Sequence, residues 1–156
     1  MSISLRPTCL DDEAFLLEVY ASTRAEEMVL VPWSDQQKRA FVEMQFRAQD
    51  AHYRERFPNA EFDVIVENGE PVGRLYLLKE QDMISIIDIA VLPQHRQRGI
   101  GTFLIREVVN EAARSQKAVQ VYVETFNPSL PLFERLGFSR VKEDGVNFLL
   151  ECNPGK

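Results

Sequence analysis

The spacing of apolar side chains changes repeatedly along the chain between two periods. Apolar residues at every second position predict strands, and apolar residues three or four positions apart predict helices. The predicted strands are 2–8, 61–67, 71–79, 83–92, 118–124, 138–142 and 147–152. With helices placed between them, the order is β-α-α-β-β-β-α-β-α-β-β, which is typical of a mixed sheet covered by helices.

The first two helices are predicted from their caps and from helical spacing. Asp11 or Asp12 can cap the first helix, and Ser34 with Gln37 forms a capping box at the start of the second. The segment 23–33 between them is less regular. The apolar faces are expected to contain Ala14, Leu17 and Ala21 in the first helix, and Phe41, Met44, Ala48 and Ala51 in the second. We expect the Met and Phe side chains of the second helix to lie in the core.

Glycine marks the turns and the ends of the later helices. Asn68–Gly69 predicts a hairpin turn, and Gly137 predicts the end of a short helix at 131–136. A longer helix is expected to begin at Gly99 and to run to about residue 115. Its apolar side contains Ile100, Leu104, Val108 and Ala112.

Composition indicates one globular domain. The chain has 156 residues, of which 45% are hydrophobic and 27% are charged, and this is enough to bury a core. We expect a single domain over 1–152 and a tail at 153–156. No apolar run is long enough to span a bilayer and no signal peptide is visible, so no membrane partner is expected. The two cysteines, Cys9 and Cys152, lie at opposite ends of the chain and favour a reducing cytoplasm.

The balance of charge limits the partners. The net charge is −6, whereas binding to nucleic acid through its phosphates requires a basic surface, so no nucleic-acid partner is expected. An acidic protein attracts cationic molecules such as amines. It can still hold an anionic ligand where positive charge is concentrated locally.

The most informative segment is the polar loop that connects a buried strand to the third helix. The first amides of a helix have no intrahelical partner, and the helix dipole makes that end positive. Gly99 and Gly101 allow a ligand to approach the backbone, and Arg96 and Arg98 add positive charge. These features predict an anion site suited to phosphate groups.

The spacing of this loop differs from two common phosphate loops. A Walker loop requires a Lys where Gly101 precedes Thr102, and a dinucleotide fingerprint requires a third glycine. The pattern Arg96-x-x-Gly99-x-Gly101 resembles the diphosphate-binding motif of GNAT-family N-acetyltransferases. The resemblance implies acetyl-CoA as cosubstrate. It implies that the diphosphate binds the backbone of Arg96, Gln97, Arg98, Gly99, Ile100, Gly101 and Thr102, and that the pantetheine arm pairs with Ile89 and Val91.

A second segment strengthens the resemblance. Asn127, followed by Leu-Phe-Glu-Arg-Leu-Gly-Phe ending at Phe138, is similar to the C-terminal signature of the same family. The family implies an α/β fold with a mixed, mostly antiparallel central sheet, splayed between two parallel strands and flanked by about four helices. By the same resemblance Asn127 and Phe133 would contact CoA.

Three positions depart from the family pattern. Phe133 occupies the position of the usual Tyr general acid, and a phenyl ring has no proton to donate. Asn127 is one residue nearer to that position than is common, and Gln97 stands where many members have Gly, although only its backbone amide is required.

Several side chains are candidates for the chemistry. Glu124, at the end of a strand, and Asp88, just before Val91, are alternative general bases, and either can instead be a solvated strand-end residue. By resemblance, the Val91 N–H polarises the thioester carbonyl. The departing thiolate can be protonated by water, by Tyr122 or by Ser129.

Acceptor selection in this family belongs to the region between the first two helices. Glu26 and Glu27 could hold a cationic amine and Trp33 could form an aromatic wall, or all three could be ordinary surface and packing residues. His52 and His95 lack Cys or acidic partners at metal spacing, so we expect surface or loop positions for them and no metal.

Three hypotheses follow for function. The first is transfer of an acetyl group to a primary amine of a small molecule or a peptide, by a cytoplasmic monomer or homodimer. The second is a catalytically silent acyl-CoA-binding sensor, suggested by Phe133. The third is a scaffold that has lost the cofactor, against which the intact loop from Arg96 to Gly101 argues.

Overall fold

The computed structural model describes residues 2–154 and contains the predicted order of elements. The helices are α1 (Glu13–Val29), α2 (Asp35–Arg56), α3 (Ile100–Arg114) and α4 (Leu130–Arg135). The strands are β1 (Ile3–Pro7), β2 (Glu61–Glu67), β3 (Glu70–Lys79), β4 (Met83–Val91), β5 (Ala118–Glu124), β6 (Ser139–Glu143) and β7 (Asn147–Cys152). Of the predicted tail at 153–156, the last two residues lie outside the described part of the chain.

The strands form one seven-stranded sheet in the order β1-β2-β3-β4-β5-β7-β6. β4 and β5 are parallel, whereas β1–β2, β5–β7 and β6–β7 are antiparallel. β2, β3 and β4 follow one another through short turns, which permit only antiparallel pairing. The predicted fold class, a mostly antiparallel α/β sheet with one parallel pair, is therefore confirmed.

The chain forms two compact units, and β3 and β4 contribute to both. Unit 1 contains the chain up to Leu75 together with Ala90–Arg96, and unit 2 contains Tyr76–Ile89 and the chain from Gln97 onward. Unit 1 includes the first two helices, and unit 2 includes the last two. The prediction of one domain over 1–152 stays a prediction.

The core of unit 1 lies between α1 and α2. Leu16 and Tyr20 on α1 pack with Val42 and Phe46 on α2, each pair being four residues apart in the sequence. Their large apolar side chains bury more surface than the alanines that defined the predicted faces. The alanines expected in the core, Ala14, Ala48 and Ala51, are exposed, whereas Leu17 and Ala21 are partly buried against the cluster.

Two further expectations about the first two helices are wrong. The segment 23–33 was expected to be irregular, but α1 continues to Val29 because Arg24, Ala25, Glu26, Glu27 and Met28 are good helix formers. Met44 is 59% exposed and is not a core residue. The capping box of α2 is confirmed: the Gln37 N–H donates to Ser34 Oγ at 3.2 Å, and the Ser34 N–H donates to Gln37 Oε1 at 2.9 Å.

Asp12 stabilises the entry to α1 without capping the helix through its side chain. Its two carboxylate oxygens accept hydrogen bonds from the Arg6 guanidinium, each at 2.8 Å, and Oδ2 also accepts the Cys9 N–H at 2.9 Å. The hydrogen bonds from Arg6, followed by those from Cys9, hold the pKa of Asp12 well below its usual range. Instead of capping α1, the Asp12 side chain links β1 to the turn before α1.

The core of unit 2 lies between α3 and β5. The predicted apolar side of α3, which is Ile100, Leu104, Val108 and Ala112, is buried as expected. Val119, Val121 and Val123 are also buried, on one face of β5. Tyr122 and Glu124, which alternate with them, are exposed on the other face. Among the described helices, none is long and apolar enough to cross a membrane.

Candidate functional site

The backbone before α3 alternates in the sign of φ. Gln97 and Gly99 have positive φ values of 61° and 82°, whereas Arg98 between them has a negative φ. Such alternation turns successive N–H groups toward one side and forms a nest that binds anions. The first intrahelical bond runs from Phe103 N–H to the Gly99 carbonyl, at 2.9 Å. The amides of Ile100, Gly101 and Thr102 therefore have no acceptor within the helix.

The two glycines of this loop serve different purposes. Gly99 has a left-handed conformation that residues with a Cβ rarely adopt. Gly101 has an ordinary helical conformation, but a Cβ built on it would meet no atom within 4 Å. Open space therefore lies beside Gly101, where the sequence predicts a ligand. Ile100 is 2% exposed, so only its backbone is available to a ligand.

The backbone conformation of Gln97 explains why many family members have Gly at this position. Its positive φ is unfavourable for a residue with a Cβ and costs about 1–2 kcal/mol. The Gln97 side chain is exposed, so the loop keeps the same backbone geometry although a side chain replaces the usual glycine.

Within unit 1, Arg96 binds the end of β4. Its Nε donates a hydrogen bond to the Val91 carbonyl oxygen at 2.8 Å. The backbone N–H and C=O of one residue in a strand point to the same side. The Leu92 N–H, which points to the opposite side, donates to the Val72 carbonyl at 2.9 Å. The sequence predicted Arg96 as a source of positive charge and, by resemblance, its backbone as a diphosphate ligand, but it did not predict this contact. The Arg96 N–H donates instead to the Pro93 carbonyl at 3.2 Å.

Between two hydrogen bonds that link them, the chain segments of β3 and β4 contain different numbers of residues. The Glu80 N–H donates to the Met83 carbonyl at 2.8 Å, and the Leu92 N–H donates to the Val72 carbonyl. The β3 segment rises by eight residues from Val72 to Glu80. The β4 segment rises by nine residues from Met83 to Leu92. The additional residue indicates a β-bulge in β4, a feature that re-aims the backbone.

Gly73, which the sequence did not single out, contacts the end of β4. It is buried, and a Cβ added to it would overlap the Ala90 carbonyl oxygen and lie 3.0 Å from the Val91 Cα. Both contacts are with backbone, which cannot rotate away. The place of Val91 therefore depends on the absence of a side chain at residue 73.

Within unit 2, the pairing of the parallel strands ends before the strands do. The register runs from Met83 with Ala118 to Ile86 with Val121. β4 continues to Val91 and β5 continues to Glu124. Asp88 and Ile89 are half-buried in the continuation of β4, and the exposed Glu124 lies opposite Asn147 of β7. The two candidate bases thus lie on the two strands where their pairing has stopped.

The candidate acceptor residues belong to unit 1. Glu26 and Glu27 are exposed in the last turn of α1, and Arg24 Nη1 donates to Glu27 Oε1 at 3.1 Å. Trp33 is 43% exposed, and its ring contacts the Phe41 ring edge-on with 5.2 Å between the centroids. Trp33 is therefore both a packing residue and an exposed aromatic surface.

His95 lies in the connection between β4 and α3, one of the two positions expected for it, but its side chain is largely shielded from solvent. Its side chain is only 12% exposed and lies between Glu67 and Glu70, at the two ends of the hairpin turn. The sequence did not reveal these acidic partners because they come from other strands. Within residues 2–154, no three His, Cys, Asp or Glu side chains are grouped as a metal site would require.

Comparison with known proteins identifies the family. The model of the acetyltransferase (GNAT) family matches residues 19–138, which is well over half of the chain. The chain belongs to the GNAT acetyltransferase family. A curated relative, an N-alpha-acetyltransferase of Sulfurisphaera tokodaii, is 37% identical over 60 residues. That match spans 36% of this chain and 36% of the relative.

Solved structures of other GNAT proteins have the same fold. The PaiA N-acetyltransferase of Thermoplasma acidophilum, in complex with coenzyme A, superposes with a TM-score of 0.72 and 17% identity, covering 98% of this chain and 99% of that one. A GNAT acetyltransferase of Elizabethkingia anophelis with bound acetyl-CoA has a TM-score of 0.61 and 15% identity, covering 97% of both chains. At these identities the likeness shows the fold alone.

The GNAT signature around α4 departs from the family pattern in its chemistry. Phe133 is 2% exposed and packs edge-on against Phe138, with 5.3 Å between the ring centroids. Asn127 Oδ1 accepts hydrogen bonds from the Ser129 N–H at 2.8 Å and the Ser129 hydroxyl at 2.7 Å. Asn127 and Ser129 thus bind each other, while Phe133 belongs to the core of unit 2.

Proposed function

We propose that this chain transfers an acetyl group from acetyl-CoA to a primary amine, by direct attack in a ternary complex. The observation that supports this most strongly is the nest from Gln97 to Gly99 with open space beside Gly101. Membership of the GNAT family supports the same chemistry. Coenzyme A bound to the PaiA relative is consistent with it.

The residues of this loop fit the diphosphate of CoA. The amides from Gln97 to Thr102 would donate to its oxygens, and Arg96 and the exposed Arg98 would supply positive charge. Ile89 and Val91 would pair with the pantetheine arm, for which the end of the β4–β5 register at Ile86 leaves an edge of β4. Bound acetyl-CoA supplies the activated thioester.

The N–H of Val91 is the electrophilic group in this proposal. It points to the same side of the strand as the Val91 carbonyl, which Arg96 holds. An N–H held in a fixed direction stabilises negative charge that develops on a carbonyl oxygen. The proposed role of Arg96 therefore includes holding the peptide that follows Val91, next to the peptide that carries this N–H, as well as attraction of phosphate.

In this proposal a carboxylate removes a proton from the acceptor, because an ammonium group has no lone pair. A lysine-like amine with a pKa of about 10.4 costs about 4–5 kcal/mol to deprotonate at pH 7, whereas an α-amine near 7.7–8.0 costs about 1 kcal/mol. Glu124 is exposed and can reach an acceptor directly, and Asp88 is half-buried. We place Glu124 first and keep Asp88 as the alternative.

The acceptor is a small molecule or a peptide. The name of the Sulfurisphaera relative, an N-alpha-acetyltransferase, favours a peptide α-amine, whose low deprotonation cost suits a solvent-exposed carboxylate. Glu26, Glu27 and Trp33 would contact the acceptor. We further propose one domain over 1–152, a cytoplasmic location, and a monomer or homodimer.

A silent acyl-CoA-binding sensor is the second candidate. Phe133 is buried and has no proton for a departing thiolate, and the Ser129 hydroxyl already donates to Asn127. Water or the exposed Tyr122 would have to supply that proton if the chain is an enzyme. Thiol release measured with acetyl-CoA across a panel of amines and N-terminal peptides separates the two, since a sensor releases no CoA above the uncatalysed rate.

Substitution of Gly101 tests the cofactor site. Gly101→Val places a branched side chain in the open space, so CoA affinity in calorimetry should fall at least about a hundredfold, or about 2.7 kcal/mol. Gly101→Ala is the matched control, because the family motif admits Ala, and should bind CoA nearly as well as the wild type. Equal CoA affinity in the Val variant would exclude the site.

A further inference from the structure

The imidazole of His95 lies between two carboxylates of the β2–β3 hairpin. Its Nδ1 is 3.9 Å from Glu67 Oε1, and its Nε2 is 3.8 Å from Glu70 Oε1. The Glu67 side chain is only 4% exposed. Both distances exceed those of hydrogen bonds, and they place each ring nitrogen in close contact with one carboxylate.

The same hairpin holds the neighbouring chain segment at two more points. The Val72 carbonyl accepts the Leu92 N–H, and Gly73 lies directly against the Ala90 carbonyl. Ala90–Arg96 accordingly belongs to the same compact unit as β2 and the first part of β3. The contacts with His95 lie at the end of this segment, immediately before Arg96.

We propose that His95 is a positioning residue for acetyl-CoA binding. By holding Glu67 and Glu70, it fixes the segment Ala90–Arg96, which contains the Val91 peptide and leads into the phosphate-binding loop. Its role in cofactor binding rests on the proposed function, whereas its role in ordering the segment does not. A displacement of about 1 Å in a positioned group can cost up to about a hundredfold in activity, so a distant clasp has measurable effects.

Backbone order is measured in the ligand-free protein. Amide hydrogen exchange, followed by NMR, reports on the bonded N–H groups of Leu92, His95 and Arg96. In His95→Gln we expect these three amides to exchange about tenfold faster, while amides in α3 are unchanged. Unchanged exchange in a folded His95→Gln protein would overturn the proposal.

Cofactor binding is measured on the same proteins. His95→Gln should raise Kd for CoA and KM for acetyl-CoA about tenfold while KM for the acceptor stays constant. Glu70→Gln removes a negative charge, so an effect of charge alone would tighten binding of the anionic CoA. Loss of the contact between His95 and Glu70 should instead weaken CoA binding about twofold. Tighter binding in that variant would overturn the positioning role.

A double variant covers the case in which His95→Gln does not fold. His95→Gln/Glu67→Gln removes the buried carboxylate together with its partner, so it should fold. It should still show faster exchange at Leu92, His95 and Arg96, and wild-type exchange there would overturn the proposal. If the wild type itself binds no CoA, the proposed function fails, and the exchange measurements alone decide the role of His95.

Discussion

Replacement of Gly73 by Ala tests whether the place of Val91 depends on contact between two backbones. The added Cβ would overlap the Ala90 carbonyl oxygen and come within 3.0 Å of the Val91 Cα. Neither atom can move without moving β4. The substitution adds one methyl group, and its effect is therefore due to position alone.

The expected loss of stability follows from this overlap. Overpacking of a buried site costs about 1–3 kcal/mol, and replacing Gly by Ala returns up to about 1 kcal/mol of backbone entropy. Because the overlap is with backbone atoms, the cost lies in the upper part of this range, at about 2–3 kcal/mol, and the net cost is about 1–2 kcal/mol. At about 2–4 °C per kcal/mol for a chain of this size, Tm should fall by about 2–8 °C.

The assay combines urea denaturation with acetyl-transfer kinetics. Displacement of Val91 should lower kcat/KM for acetyl-CoA about tenfold even in the folded fraction. Gly101→Ala is the matched control, because the same methyl group there meets open space and should leave the free energy of unfolding equal or slightly higher. A Gly73→Ala protein as stable and as active as the wild type would refute the reasoning.

Two other substitutions test the ion pair between Arg6 and Asp12 and the proposed base Glu124. Asp12→Asn should lower the free energy of unfolding at pH 7 by about 1–2 kcal/mol, because the partly exposed Arg6 loses its charged partner. The pKa of Asp12 is depressed in the folded state, so its stabilisation is present above about pH 4 and lost as the pH falls further. Urea titrations at pH 7 and pH 3 should show the gap closing, and an equal gap at both would contradict this. Glu124→Gln should lower turnover about a hundredfold without changing CoA affinity, and an unchanged rate would dismiss Glu124 as the base.

Local sequence patterns predicted elements whose cause is local. The bounds of β2, β5 and β7 match the predicted ranges, and Asn68 and Gly69 both have the positive φ expected of their turn. The apolar stripe of α3 is buried as predicted because it has helical spacing with large side chains at most positions.

Features that arise from distant contacts could not be predicted in the same way. His95 is half-buried and contacts carboxylates that lie more than twenty residues earlier, and Gly73 is required only because β4 passes against it. The outward position of Met44 depends on which face of α2 meets Leu16 and Tyr20. Helix propensity, by contrast, favoured the continuation of α1 to Val29, and the irregular hydrophobic pattern concealed it.

Within the candidate site, the features with a local cause were likewise predictable from the sequence, and those that depend on distant contacts were not. The glycines and arginines of the loop are adjacent in sequence, so their motif predicted an anion site, and the φ values of Gln97 and Gly99 agree with it. The bond from Arg96 to the Val91 carbonyl and the burial of Phe133 depend on tertiary structure.

The most direct measurement of where the diphosphate binds is an NMR titration of the ¹⁵N-labelled protein with coenzyme A. The amide resonances of Gln97 to Thr102 should shift together and saturate, because their N–H groups would donate to phosphate oxygens. Saturable shifts confined to other parts of the chain, with these amides unmoved, would contradict a cofactor site at the start of α3.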